Sequence, residues 1–122
     1  MNINELVDRA HENAVKHGFW DDYKMITDML DDAIYDDNFV DKKLKPLYSN
    51  AISTRLMLIV GEVSEAMEAL RKNDNDNFRE ELADIVIRVM DLSGGLGIDL
   101  EYEIIKKMGI NAQRPYKHGK LF

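Results

Sequence analysis

The sequence predicts an all-α fold, and three observations support this prediction. Apolar residues recur three and four positions apart along most of the chain, which is the periodicity of an amphipathic helix. No segment alternates apolar and polar residues over the length of a strand. Proline occurs only twice in 122 residues, so few positions forbid a helix.

Composition narrows the class of protein. Apolar residues make up 45% of the chain, so we expect one globular domain spanning residues 1–122. The formal charge of −7 argues against a nucleic-acid partner bound through a broad basic surface. Cysteine is absent, which excludes disulfides and thiolate sites. No apolar run is long enough to span a membrane and the start M-N-I-N-E-L lacks a secretion signal, so we expect a cytoplasmic location.

The first element is a helix capped by Asn2 or Asn4 and running to about Lys16. His17-Gly18 predicts its end, because glycine readily adopts the left-handed conformation found there. Its inward residues are predicted to be Ile3, Leu6, Val7, Ala10 and Ala14. His11 and His17 are six apart, off phase for one ligand face, and are expected at the surface or at a helix end.

A second helical segment opens at Phe19-Trp20 and is predicted to reach Ile34. Trp20 is expected in the core; the alternative is that its ring faces a nucleobase. The aspartates between Asp21 and Asp37 form a solvated face. Residues 38–48, which include Pro46 and three lysines, are predicted to be a connection.

Two long helices are predicted next, Asn50–Lys72 and Asp76–Leu96, joined by the polar turn 73–77. The first carries an apolar stripe made of Leu56, Ile59, Val60, Val63, Met67 and Leu70. The second is apolar around most of its circumference, with its main stripe formed by Phe78, Leu82, Ile85, Val89, Leu92 and Leu96. Such a helix is usually buried.

Each of these helices also carries two acidic residues three positions apart, Glu62 with Glu65 and Glu81 with Asp84. Residues three apart lie on one side of a helix, and the turn folds the helices back on each other. Four converging carboxylates repel one another unless a cation lies between them, and Mg²⁺ suits oxygen ligands. The alternative is a structural salt-bridge network neutralised by Arg88, and the spacing alone leaves both open.

The last helix is predicted from Leu100 to about Gln113, with Asp99 as its cap and Pro115 after its end. Ile104, Ile105 and Met108 are expected to be buried. Lys107, Asn111 and Arg114 share the opposite edge and suit phosphate oxygens. They are also compatible with an ordinary helix end, where cations interact favourably with the dipole.

Three segments together resemble the all-α nucleoside triphosphate pyrophosphohydrolases, which include MazG-like proteins, dimeric dUTPases and dCTP pyrophosphatases. These segments are E-V-S-E at 62–65, E-L-A-D at 81–84 and K-M-G-I-N-A-Q-R-P at 107–115. The resemblance covers roughly residues 50–120 and implies a four-helix-bundle-like fold.

The same resemblance implies an activity and a set of site residues. The activity is hydrolysis of a nucleoside triphosphate, NTP or dNTP, to the monophosphate and pyrophosphate, with Mg²⁺ as cofactor and Mn²⁺ as a possible substitute. The implied metal ligands, which are also the catalytic residues, are Glu62, Glu65, Glu81 and Asp84. The implied substrate-binding residues, near the triphosphate, are Lys107, Asn111 and Arg114.

The chain departs from the family pattern at two places. Gly61 stands where many members have a further glutamate, so a helper carboxylate is either missing or supplied elsewhere, by Glu80 or Asp91. Residues 19–48 match no pattern, although the equivalent region of the family contributes to base recognition.

Two other functional classes compete with the hydrolase. A di-iron bundle is disfavoured because neither acidic pair ends in histidine. A non-catalytic helical module that senses nucleotides or binds a partner remains the alternative. In either case we expect a homo-oligomer, a dimer or a dimer of dimers. So short a chain cannot cover the largely apolar second long helix on all sides. We expect the surfaces bearing Met57 and Met90 to stay uncovered within one chain and to pair with a second copy.

Overall fold

The computed structural model describes all 122 residues, and it is helical throughout with no strand. The helices are α1 Ile3–Lys16, α2 Asp21–Leu30, α3 Asp37–Phe39, α4 Lys45–Arg71, α5 Asn75–Gly95 and α6 Leu100–Ala112. A π-helical turn, Val40–Leu44, joins α3 to α4, and a 3₁₀ turn, Tyr116–Gly119, follows α6. The predicted all-α class is confirmed. None of the helices combines the length and the apolarity that crossing a membrane requires.

The core of the fold is the hairpin of α4 and α5, with α1 packed against α5 and α2 against α4. The turn between α4 and α5 ends at Asp74, whose side chain caps α5 by accepting a hydrogen bond from the Asn77 N–H. α1 approaches α5 closely at Gly94, where a Cβ would contact His11 and Val7. α6 packs on α1, and Asn4 Nδ2 donates to Asp99 Oδ1 over 2.9 Å at that contact.

The predicted connection at 38–48 is wrong, because this segment is helical. Asp36 caps it by accepting a hydrogen bond from the Phe39 N–H, and α4 starts at Lys45, five residues before the predicted start. Pro46 is tolerated because the π-helical turn comes directly before it. Lys45 N–H bonds to Val40 O across that turn, and proline has no N–H of its own to donate.

The predicted extent of the second segment is also wrong. α2 ends at Leu30, because Asp32 Oδ1 then accepts a hydrogen bond from Ile34 N–H and turns the chain. Ile34 is 78% exposed.

Several residues expected in the core lie at the surface of the chain. In α6, which packs on α1, Ile105 and Met108 are exposed, and Leu6 of α1 is also exposed. α4 contacts the rest of the chain through Ala51, Arg55, Ala66 and Ala69, which are buried. Its apolar residues Leu56, Val60, Val63, Met67 and Leu70, here called the exposed α4 stripe, are 48–55% exposed. Met57 is exposed as expected, whereas Met90 is buried, since the Met90 side of α5 is covered within the chain.

Candidate active site

Three acidic side chains converge between α4 and α5. Glu62 comes from α4, and Glu81 and Asp84 come from successive turns of α5. One carboxylate oxygen from each lies within 4.8 Å of the others. Because the hairpin turn is short, residues near the middle of each helix face each other, and the spacing of three directs both α5 acids to one side. We call these three residues the acidic cluster.

Glu81 is the buried member of the acidic cluster. Its side chain is only 9% exposed, and its Oε2 has no hydrogen-bond partner. Burial raises the pKa of Glu81 to about 7, and the negative charge of Glu65 is the next cause. The adjacent carboxyl of Glu62 and the charge of Asp84 act in the same direction. A buried carboxylate oxygen without a donor is costly unless a cation or a proton satisfies it.

Arg88 is the one basic residue that pairs with these acids. Its Nε donates to Glu62 Oε1 over 2.7 Å, and the Glu62 side chain is only 14% exposed. Glu81 and Asp84 have no basic partner of this kind. A network neutralised by Arg88 therefore accounts for one carboxylate of the cluster and leaves the other two uncompensated.

The donor set suits a hard divalent cation. All the candidate ligand atoms are carboxylate oxygens, which are the ligands that Mg²⁺ prefers. The buried Glu81 Oε2 has no hydrogen-bond partner, and a cation bound by the cluster would satisfy it. Glu65 is solvent-exposed and falls outside the group of three, yet it is near enough to act on the pKa of Glu81.

A cavity of about 330 Å³ opens beside the acidic cluster. This volume lies within the usual range for small-molecule sites, roughly 300–1,000 Å³. Glu62, Asp84, Arg88 and Asp91 are among its charged lining residues. The remaining lining is mostly apolar or small and comprises Ala10, Asn13, Ala14, Phe19, Arg55, Leu58, Ile87 and Leu92. A lining that combines acidic, basic and apolar residues suits a ligand with a charged part and a weakly polar part.

A network behind the cavity fixes Asp91. Asp91 Oδ1 accepts a hydrogen bond from Trp20 Nε1 over 2.8 Å and lies 3.0 Å from His11 Nδ1. Trp20 is 5% exposed, and the guanidinium carbon of Arg55 lies 4.2 Å from the centre of its ring. Trp20 does not line the cavity, which agrees with the expected position in the core. Its ring could stack on a base only if the side chain moved. Of the two candidate helper carboxylates, Asp91 lines the cavity and Glu80 does not.

Sequence reasoning missed the role of Arg55 in this network. Its guanidinium donates to Ala51 O, Phe19 O and Asp22 Oδ1, each over 2.8 Å, and it is 8% exposed. The hydrogen bond from Arg55 holds the pKa of Asp22 below its ordinary value. The available signal was a lone arginine in an otherwise apolar segment of a long helix.

The predicted phosphate-binding residues lie elsewhere. Lys107, Asn111 and Arg114 are all exposed, on α6 or just beyond it, and none of them lines the cavity. Arg114 Nη1 lies 3.0 Å from His118 Nδ1.

Comparison with known proteins finds one family model that matches part of the chain. Residues 51–109, just under half of the chain, match the family model described as the MazG nucleotide pyrophosphohydrolase domain. This segment contains α5, all of α4 except its first six residues, and every residue of the acidic cluster. The similarity to this family is confined to residues 51–109. No curated protein and no solved structure matched the chain.

The match to the MazG domain bears on the site in two ways. It supports a hydrolase acting on nucleotides at the level of the family. It ends at residue 109, short of the expected 120, so it takes in Lys107 but neither Asn111 nor Arg114. Residues 1–50, which supply Asn13 and Phe19 to the cavity, also lie outside it.

Proposed function

We propose that this protein hydrolyses a nucleoside triphosphate, NTP or dNTP, to the monophosphate and pyrophosphate in a Mg²⁺-dependent reaction. One observation carries the proposal: a hairpin that matches the MazG domain brings three carboxylates within 4.8 Å of one another beside a cavity of about 330 Å³. Mn²⁺, which accepts the same oxygen ligands, is a possible substitute.

The acidic cluster, together with Glu65, would hold the divalent ion. Glu62, Glu81 and Asp84 offer oxygens at close range, and Glu65 lies near enough to raise the pKa of Glu81. When bound, the ion supplies positive charge to the phosphate oxygens and lowers the pKa of the attacking water. Glu81, with its pKa raised to about 7, must lose its proton to serve as a ligand.

The cavity determines where the nucleotide lies. Its charged lining residues suit the phosphates with their metal, and its apolar lining residues suit the sugar and base. Water attacks the α-phosphorus, the bond from that phosphorus to the bridging oxygen breaks, and pyrophosphate leaves. Asp91 is the carboxylate we assign to orient this water, because Trp20 and His11 hold it at the cavity wall.

Lys107, Asn111 and Arg114 are proposed to bind the polyphosphate. Three exposed polar groups on one helical edge can bind phosphate oxygens through charge-assisted hydrogen bonds. Since α6 packs on α1 and these side chains do not line the cavity, they would act by closing over a bound nucleotide or from a second subunit.

We further propose that the protein is a homodimer or a dimer of dimers. The chain exposes 9210 Å², whereas a compact monomer of 14.1 kDa is expected to expose roughly 6,700 Å². The exposed α4 stripe, spaced four and three residues apart, is the surface that a second copy would cover. The cytoplasm, where nucleoside triphosphates are made and used, is the expected location.

A panel of NTPs and dNTPs tests the proposed reaction. In Mg²⁺, at least one nucleotide is expected to yield its monophosphate and pyrophosphate in equal amounts, and EDTA should stop the reaction. Release of orthophosphate with a diphosphate would contradict the assignment. Nucleotide binding without turnover would favour the non-catalytic module.

A further inference from the structure

Arg88 occupies an unusual position within the proposed metal site. Its Nε donates to Glu62 Oε1 over 2.7 Å, and Glu62 belongs to the acidic cluster. Arg88 follows Asp84 by one helical turn of α5, so it shares the polar side of that helix with both Glu81 and Asp84. The guanidinium therefore bonds to an oxygen that a divalent ion would also use.

We propose that Arg88 is the resident counter-cation of the acidic cluster, which releases Glu62 when a divalent ion binds and then turns to a phosphate of the nucleotide. The proposal rests on the function proposed above. Arg88 would thus have two successive partners, first Glu62 and then a phosphate.

The charge balance of the cluster supports the first half of the proposal. Arg88 supplies the single basic group paired with the acids, so without it the cluster carries no direct compensation. When a divalent ion binds, the carboxylates no longer need Arg88 for compensation, because the ion brings two positive charges to them. Arg88 then repels the ion and competes with it for Glu62.

The environment of Arg88 supports the second half. Its side chain is 35% exposed, and the Nε is its only nitrogen hydrogen-bonded within the protein. Both terminal nitrogens are free of protein acceptors, and the residue lines the cavity. A planar guanidinium released into this space has the geometry to bind two phosphate oxygens at once.

Arg55, which lines the same cavity, is held by more hydrogen bonds than Arg88. It is bonded to Ala51 O, Phe19 O and Asp22, and it lies against the Trp20 ring. A guanidinium held in this way must break several hydrogen bonds before it can change partners. Arg88, held by a single hydrogen bond, can do so.

The direct test is NMR of the arginine Nε–H groups in the full-length protein. The Arg88 signal is assigned by its disappearance in Arg88→Lys. In EDTA it should be shifted and protected from solvent exchange by the bond to Glu62. Saturating Mg²⁺ should remove that protection, and adding inorganic pyrophosphate to the Mg²⁺ form should shift the signal again. Arg79, on the same helix in a surface pair with Asp76, is the internal control and should not respond.

Calorimetry of Mg²⁺ binding gives a second readout that does not depend on turnover. If Arg88 competes for Glu62, Arg88→Met should bind Mg²⁺ about tenfold more tightly, the equivalent of one charge-assisted hydrogen bond. In Mg²⁺, the same variant should bind pyrophosphate about tenfold more weakly. Arg79→Met is the matched control and should change neither affinity. If Arg88 merely orients Glu62, Arg88→Met should instead bind Mg²⁺ more weakly.

The outcomes separate this inference from the proposed function. A wild-type protein that binds no Mg²⁺ would overturn both. A protein that binds Mg²⁺ while the Arg88 signal stays protected would overturn this inference and leave the metal site standing. So would an Arg88→Met variant whose Mg²⁺ affinity is equal to or below that of the wild type.

Discussion

The indole ring of Trp20 lies directly against the backbone of α5 at Gly95, where a Cβ would overlap the ring. This contact and the hydrogen bond from Trp20 to Asp91 hold the start of α2 against α5. We expect Gly95→Ala to lower the free energy of unfolding by about 1–3 kcal/mol, because a packed ring must move to admit the methyl group. Urea denaturation followed by circular dichroism measures the change.

Gly109→Ala is the matched control for this packing effect. Gly109 is also helical, and nothing lies within 4 Å of its would-be Cβ. Alanine there should raise the free energy of unfolding by about 0.5–1 kcal/mol, since glycine loses more backbone entropy on folding. Equal effects at the two positions would show that the Trp20 contact is loose.

Removing a ligand charge should weaken metal binding and relieve repulsion. Asp84→Asn and Glu65→Gln should each reduce Mg²⁺ affinity in calorimetry while leaving the helical circular dichroism unchanged. In EDTA both variants should melt at or above the wild-type temperature, because each removes one charge from a repulsive group. Glu68→Gln is the control: Glu68 is exposed and lies 3.9 Å from Arg71, so it should behave like the wild type.

The stability of the protein in EDTA should fall as the pH rises from about 5 to 8. The pKa of Glu81 is raised from 4.5 to about 7 in the folded protein, chiefly by burial. Between these values the folded state binds more protons than the unfolded state, so raising the pH favours unfolding. Melting temperatures in Glu81→Gln should lose most of this dependence. A slope unchanged by the substitution would assign the titration to another group.

Arg114→Ala tests whether the exposed cations of α6 bind phosphate. The variant should lose about tenfold in nucleotide affinity, which corresponds to one charge-assisted hydrogen bond. Its melting temperature should stay near that of the wild type, because the side chain is exposed. Arg9→Ala, an exposed arginine of α1, controls for the loss of charge alone. Lower stability with unchanged nucleotide affinity would favour the helix-end interpretation.

Association through the exposed α4 stripe predicts at least twice the chain mass of 14.1 kDa in sedimentation equilibrium at micromolar concentration. Met67→Asp places a charge in the stripe and should shift the population to monomer or to disordered aggregates. Ile34→Asp is the control, since Ile34 is 78% exposed and lies outside the stripe. A wild-type monomer that still hydrolyses nucleotide would contradict the proposed dimer.

Local chemistry made the helices and the acidic positions predictable. Asn2, Asp74 and Asp99 act as caps where a side-chain acceptor precedes a helical pattern. The spacing of three placed Glu81 and Asp84 on one side of α5, and the structure brings Glu62 to them.

What the sequence could not predict depends on contacts between distant segments. The side of α4 that packs inside the chain is its small-residue side, through Ala66 and Ala69, because small side chains let α5 approach closely. An apolar stripe looks the same in a sequence whether its own chain or another copy covers it. The pairing of Arg88 with Glu62 and the fixing of Asp91 by Trp20 join residues 26 and 71 positions apart.

The most direct test of the proposed function is the rate of pyrophosphate release from the preferred nucleotide by the wild type and by Asp84→Asn, each with Mg²⁺ and with EDTA. We expect turnover only for the wild type in Mg²⁺, with Asp84→Asn inactive although still folded. Near-normal turnover by Asp84→Asn, or wild-type turnover that persists in EDTA, would contradict catalysis by a metal ion held at the acidic cluster.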